Sequence, residues 1–146
     1  MTLGIDQAVC NSFKSQLLDG DHDFSASGGD TFKLALYTSA ATLNATTTVY
    51  TSTNEVGNTG TYSAGGGILT GQTVSLDGSV GIVDFADLSF TRVTLSALGA
   101  VIYNTSFGNN AAVCVLDFGA VKTATSGTFT ILFPAFTSSA AILRIA

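Results

Sequence analysis

Residues 99–118 read GAVIYNTSFGNNAAVCVLDF. In both GAVIY (99–103) and AAVCVLDF (111–118), apolar residues fall on each side of an extended chain. A strand apolar on one side only sits at a surface, so these two are expected in an interior, covered on both faces. The GNN at 108–110 separates them with a turn signal.

The pattern continues outward in both directions. Phe32, Leu34 and Leu36 alternate with Lys33, Ala35 and Tyr37, which predicts a strand. Val74 and Leu76 alternate, DG at 77–78 marks a turn, and Val80 and Ile82 resume the alternation. The phase then slips to Val83 and Phe85, as at a bulge or a bend. Leu88 and Phe90 follow, then Val93 and Leu95. GTFTILFP (127–134) places Phe129, Ile131 and Phe133 opposite Thr128 and Thr130, and TSG at 125–127 reads as a turn before it. The lone proline, Pro134, closes that strand, where its missing N–H does least harm. AAILRIA (140–146) reads as a last strand tied into a sheet. Short strands with such punctuation predict an all-β fold, an antiparallel β-sandwich or small barrel, in one domain over residues 1–146.

Two segments depart from this pattern. Residues 1–20 form a predicted N-terminal helical arm or cap, because Ile5, Val9, Phe13 and Leu17 recur at helical spacing and Gly20 stands where a helix stops. The stretch from Thr42 to Thr61 is rich in threonine, yet Asn44, Asn54, Gly57, Asn58 and Gly60 interrupt it. It is expected as a long excursion with short strands at most, either a contact surface for a partner or a loop folded over its own sheet.

Charge restricts the function classes. Of 146 residues only 10% are charged, 46% are hydrophobic, and the net charge is −5. The mean hydropathy is +0.44 and the pI about 4.3. Free monomers keep apart by surface charge, so a chain this poor in charge is expected to bury part of its surface against other subunits or a scaffold. The basic residues Lys14, Lys33, Arg92, Lys122 and Arg144 are scattered. Nucleic-acid binding needs them clustered. The apolar runs are too short for a spanning helix, which takes about 20 residues, and no signal peptide is visible. Cys10 and Cys114 allow one disulfide at most; both are expected to be free thiols, as in a reducing cytoplasm, with the pairing left open.

Little in the sequence points to catalysis. His22 is the only histidine, in DGDHD, and no GxSxG elbow accompanies it, so a solvated surface residue is expected there. Asp19, Asp21 and Asp23 have D-x-D-x-D spacing, and Asp30 falls where a calcium loop has its twelfth-position ligand. Phe24 occupies the place of the required glycine, and Asp30 that of the usual glutamate. These four aspartates are a weak Ca²⁺ candidate, with a solvated acidic turn as the alternative. GGG at 65–67 lacks the Gly-Lys-Ser/Thr of a phosphate loop and reads as a turn or bulge. Asp117-Phe118-Gly119 stands without the rest of a kinase, and Asp117 marks the wet end of a strand. Glu55 is the sole glutamate, so no carboxylate pair for glycoside chemistry is visible. No catalytic residue and no cofactor is expected.

An ordered set of segments carries a resemblance: TFKLALYTS, ATTTVYTSTNEV, TGTYSAGGGIL, FADLSF, GAVIYNTS, AVCVLDFG, SGTFTILFP and AAILRIA. From about Phe13 to the C-terminus the chain resembles a family of small β-rich structural proteins of tailed bacteriophages. The resemblance implies a virion component assembled in the host cytoplasm. It favours a capsid decoration (cement) protein that contacts the major capsid protein or other virion proteins. A homo-oligomer, with a trimer favoured, is expected. A tail, fibre or adsorption component binding the host surface is the alternative. The family brings no catalytic residues.

Overall fold

A computed structural model describes residues 4–146 and shows an all-β, sandwich-like fold with one short helix. In chain order the elements are β1 (Ala8–Val9), α1 (Asn11–Leu18), β2 (Phe32–Tyr37), β3 (Gly67–Ile68), β4 (Thr73–Asp77), β5 (Val80–Asp84), β6 (Leu88–Asn104), β7 (Ala111–Ile131) and β8 (Leu143–Ile145). They form an antiparallel five-stranded sheet, β1-β7-β6-β2-β3, and an antiparallel three-stranded sheet, β4-β5-β8. Among the described residues no helix is long and apolar enough to cross a membrane.

The hairpin of β6 and β7 organises the large sheet. Gly108, Asn109 and Asn110 all have positive φ and turn the chain between the two strands, as the GNN signal predicts. The segments read separately in the sequence fuse into strands of 17 and 21 residues. TSG at 125–127 is therefore not a turn. Ser126 has φ +46° inside β7, and the register shifts there, with Val93 opposite Gly127 and Leu95 opposite Ala124. Side chains paired across this hairpin supply the interactions that a turn would have interrupted. They include Phe90 opposite Phe129 and the Ser96–Thr123 hydroxyl contact at 3.0 Å.

The central part of the large sheet is buried on both faces, as the doubly apolar segments require. Phe32, Leu34 and Leu36 of β2 share one face with Asn104, Ile102 and Ala100 of β6. Lys33, Ala35 and Tyr37 share the other with Tyr103, Val101 and Gly99. Aromatic rings cover the first face. Phe24 stacks on Phe32 at 4.4 Å, Phe85 meets Phe32 at 5.9 Å, and Phe133 meets Phe85 at 5.7 Å. Phe85 directly follows β5, so these contacts fasten the small sheet to the large one. The slip expected at Val83 and Phe85 is a bend: the β4–β5 ladder is regular as far as Asp84, and Phe85 then turns into the core.

The Thr-rich excursion covers the second face. It makes isolated bridges only, Tyr37 to Glu55 and Val49 to Ala111 among them. Its backbone bonds to strand edges: Val56 N–H donates to Leu36 O at 2.9 Å, Tyr50 N–H to Asn110 O at 2.9 Å, and Thr48 O accepts from Ala112 N–H at 2.9 Å. Of the two readings of this stretch, the loop folded over its own sheet is the one observed. Behind it, Gly66 (φ +84°) lies so close to β2 that a Cβ there would sit 1.8 Å from Leu34 O. The GGG is a close backbone approach that only glycine permits.

The N-terminal helix is shorter than its periodicity predicts. Ala8 and Val9 pair with Val115 and Cys114 as a strand, and Ile5 bridges to Leu43. Tertiary pairing with β7 therefore overrides the helical spacing over the first half. The helix runs from Asn11 to Leu18, buries Phe13, and stops at Gly20 (φ +81°), whose N–H bonds Leu17 O. The first three residues of the expected arm lie outside the described residues.

Phe85→Ala removes the ring that joins the two sheets, and it is expected to lower stability by about 3–5 kcal/mol. Leu18→Ala, at the exposed end of α1, is expected to change it by about 0.5 kcal/mol or less. Denaturant unfolding of the two variants checks the contrast.

Candidate functional site

Three places gather polar or apolar groups in a way that bears on function. The first surrounds His22, which is buried, 6% exposed, rather than solvated as expected. Its ring lies among Phe13 at 4.8 Å, Phe107 at 5.4 Å and Phe32 at 6.4 Å. The apolar rings that close the first face of the sheet also draw the imidazole in. Both ring nitrogens are used. Nε2 lies 2.8 Å from Gln16 Oε1, and Nδ1 lies 3.0 Å from Asn104 Nδ2. With Nε2–H donating and Nδ1 accepting, the neutral ring satisfies both partners. Asn104 donates its second amide hydrogen to Asp30 Oδ2 at 2.7 Å, and its Oδ1 accepts from Ser106 N–H at 2.8 Å. Burial lowers the His22 pKa below its ordinary 6.5, against the raising influence of Asp30 and then Asp21.

The acidic turn is organised around this cluster. Asp30 Oδ2 also accepts from Asp23 N–H at 3.0 Å, and Asp30 N–H donates to Asp23 O at 2.8 Å. Asp23 Oδ1 accepts from Ser25 N–H at 2.8 Å, and the Ser25 side chain and then this N–H lower the Asp23 pKa. Asp19 follows the last turn of α1, and its N–H bonds Ser15 O. Asp21 N–H bonds Gln16 O. Among the described residues no three His, Cys, Asp or Glu side chains converge as a metal-ion group, so the four aspartates are not brought together as ligands.

The second place is one that sequence reading missed. Glu55, the only glutamate, binds two of the four tyrosines, and the other two bond the backbone close by. Tyr50 OH donates to its Oε1, and Tyr62 OH donates to Oε2 at 2.7 Å. Gly65 N–H also donates to Oε2, at 2.7 Å. Tyr62 OH accepts from Leu36 N–H at 2.8 Å, Tyr37 OH donates to Thr51 O at 2.6 Å, and Tyr103 OH donates to Gly65 O. Tyr50 and Tyr103 stack at 4.8 Å. Burial raises the pKa of each tyrosine, and the Glu55 charge adds to it; Tyr103 is pushed up to about 12. This cluster clamps the Thr-rich excursion to β2. It is polar, inward-facing and fully engaged. The one sequence signal for it was a lone glutamate within a tyrosine-bearing, otherwise uncharged stretch.

The third place is the three-stranded sheet. Cross-strand partners share a face, so Val74, Val83 and Leu143 form one apolar row, and Leu76, Gly81 and Ile145 form the next. Leu143 is buried and Val83 packs on the core. Beyond them the same face is open: Val74 is 56% exposed, Ile145 61% and Leu76 70%. Every residue of β4 is exposed, and the strand has β5 on one side only. The opposite face is held differently. Asp77 Oδ2 accepts from Ser138 N–H at 2.6 Å, and Arg144 Nη1 donates to Ser138 O at 3.3 Å, beside the buried Ile82. Single exposed apolar side chains are ordinary, but here three lie together on the face that edge strand β4 helps form.

The two cysteines are free and buried. Burial raises the Cys10 thiol to about 11 and raises Cys114 further, with Cys10 adding to the latter. Both thiols are held in the unreactive, protonated form at neutral pH.

Two outcomes are expected. In Glu55→Gln a single carbonyl oxygen replaces two acceptors for three donors, and stability is expected to fall by about 1–3 kcal/mol in denaturant unfolding. For His22 the folded state favours the neutral ring. Its contribution to stability is therefore complete above pH 6.5 and is lost as pH falls below it. The thermal midpoint is expected to drop between pH 7 and pH 5, and to drop less in His22→Gln.

No protein-family model matches this chain, and no curated protein or solved structure shows significant similarity to it.

Proposed function

We propose that this chain is a structural protein of a tailed-bacteriophage virion, and that it decorates the capsid by binding the major capsid protein in many copies. The observation that carries the reading is the open apolar face of the small sheet, bounded by the edge strand β4. Such a face favours association, on a chain with only 10% charged residues. The ordered resemblance to phage structural proteins supports the virion setting. The site geometry supports a non-catalytic role, because both nitrogens of the single histidine are engaged within the core. Decoration needs only modest free energy per copy, since a shell that presents many sites gains by avidity.

A tail or adsorption component binding the host surface is the second reading. It relied on the Thr- and Asn-rich stretch as a recognition surface. Several of that stretch's backbone and side-chain groups are spent on the protein's own strands. Thr59 Oγ1 accepts from Thr94 N–H and Thr61 Oγ1 from Thr91 N–H, each within 3.0 Å. Head decoration is therefore preferred.

Copy number per purified phage particle, measured by quantitative mass spectrometry against the major capsid protein, tests the assignment. Decoration predicts near parity or a simple fraction of the capsid protein. A count of about a dozen or fewer overturns it in favour of the tail or a unique vertex.

A further inference from the structure

Among the described residues, β7 and β4 each have an edge without a strand partner, and the two edges are treated oppositely. β7 is paired by β1 only at Cys114 and Val115, so its outer edge is open from about Asp117 onward. That edge carries the features that discourage pairing. Gly119 (φ +82°) and Ser126 (φ +46°) break its regularity, four residues of β7 lie opposite the single Leu98 between the Asp117 and Lys122 pairings, and Lys122 is exposed. Asp117 further ties down its start by accepting from Gly119 N–H at 2.8 Å. β4 has none of these. Its ladder with β5 is regular from Thr73 to Asp77, it contains no glycine, proline or lysine, and its apolar side chains Val74 and Leu76 are exposed.

We propose that β4 pairs with β4 of a second copy of this chain, antiparallel about Ser75, so that two three-stranded sheets become one continuous sheet across a two-fold axis. This rests on the reading of the chain as an assembly component and names the contact between its copies. The side chains of β4 are self-complementary, with apolar Val74 and Leu76 set symmetrically about Ser75, and the placement of charge selects the direction. Asp77 is the only charged residue of β4 and stands at its end. In the antiparallel pair each Asp77 lies opposite Thr73 of the other copy, and the two carboxylates are about 14 Å apart along the strands at ~3.4 Å per residue. A parallel pair sets the two carboxylates side by side, which is unfavourable. In the antiparallel register Val74 faces Leu76 of the other copy, twice over. These pairs lie on the face that carries Ile145, so one apolar surface runs unbroken across the axis. An isologous contact of this kind closes as a dimer and leaves no repeating edge to grow. A two-fold unit differs from the trimer that the resemblance favours, and the mass in solution decides between them.

The test uses the purified full chain in solution and needs no virion, so its failure is separate from failure of the capsid assignment. Light scattering coupled to size exclusion is expected to give twice the 14.8 kDa chain mass. Leu76→Lys, at a position too exposed to disturb the core, is expected to give the monomer mass with an unchanged far-UV spectrum. Register is read by cysteine substitution under mild oxidation. Ser75→Cys places two thiols directly opposite at about 4.5–5.5 Å between Cα atoms, within disulfide reach. It is expected to form an interchain disulfide in most of the protein. Thr73→Cys, whose two copies lie at opposite ends of the pair, is expected to cross-link at least tenfold less. A monomeric wild type, a trimer mass, a Leu76→Lys variant that keeps the dimer mass, or equal cross-linking at both positions overturns the proposal.

Discussion

The structure depends on one constraint: the centre of the large sheet is apolar on both sides, so both sides must be covered by protein. β2 and the adjoining halves of β6 and β7 place buried side chains on each face. Burying each large apolar side chain contributes roughly 1.5–3 kcal/mol, and leaving either face wet would forfeit that for a whole layer. Two unlike covers meet the requirement. On one face the aromatic rings Phe24, Phe85 and Phe133 pack directly, with the small sheet attached through Phe85. On the other face the Thr-rich excursion has few large apolar side chains of its own, and Tyr50, Tyr62 and the Glu55 hub pin it in place.

The unusual composition follows from this division. Hydroxyls and amides on the excursion satisfy strand edges and turns, so the chain covers a sheet without needing charged groups there. The Glu55 carboxylate is accommodated beneath it because three donors converge on its two oxygens. The His22 cluster solves the same problem on the other face, where Asn104, buried in β6, needs partners for its amide and finds them in His22, Asp30 and Ser106. In both clusters polar groups are buried with their hydrogen bonds met, which fixes the loops as well as the core.

The small sheet falls outside this scheme. Its inner row, Val83 and Leu143, joins the core, while Val74, Leu76 and Ile145 extend past it. The core's demand for cover ends before the sheet does. The remaining apolar face and the β4 edge are therefore available for association, in contrast to the kinked, lysine-bearing edge of β7. A few charges suffice to tell the two edges apart because so few are present.

The sequence by itself determined the all-β class, the strand centres and the turns at DG and GNN. Side-chain alternation and turn chemistry are local, set by a residue's own backbone and its near neighbours. It also determined that GAVIY and AAVCVLDF lie inside, since no solvated strand is apolar on both faces. Only the tertiary structure decided what covers them. Ala8 and Val9 leave a helical pattern because β7 offers a strand partner more than 100 residues away. TSG stays within β7 because β6 pairs with β7 on both sides of it and a register shift takes up the irregularity. His22 is buried because Asn104, 82 residues later, meets its ring, and Glu55 becomes a hub because the fold carries Tyr50, Tyr62 and the Gly65 N–H to it. Likewise, the alternation of Val74 and Leu76 announced a strand but not its exposure, because burial depends on which other element lies against a face, and that is settled by long-range packing alone.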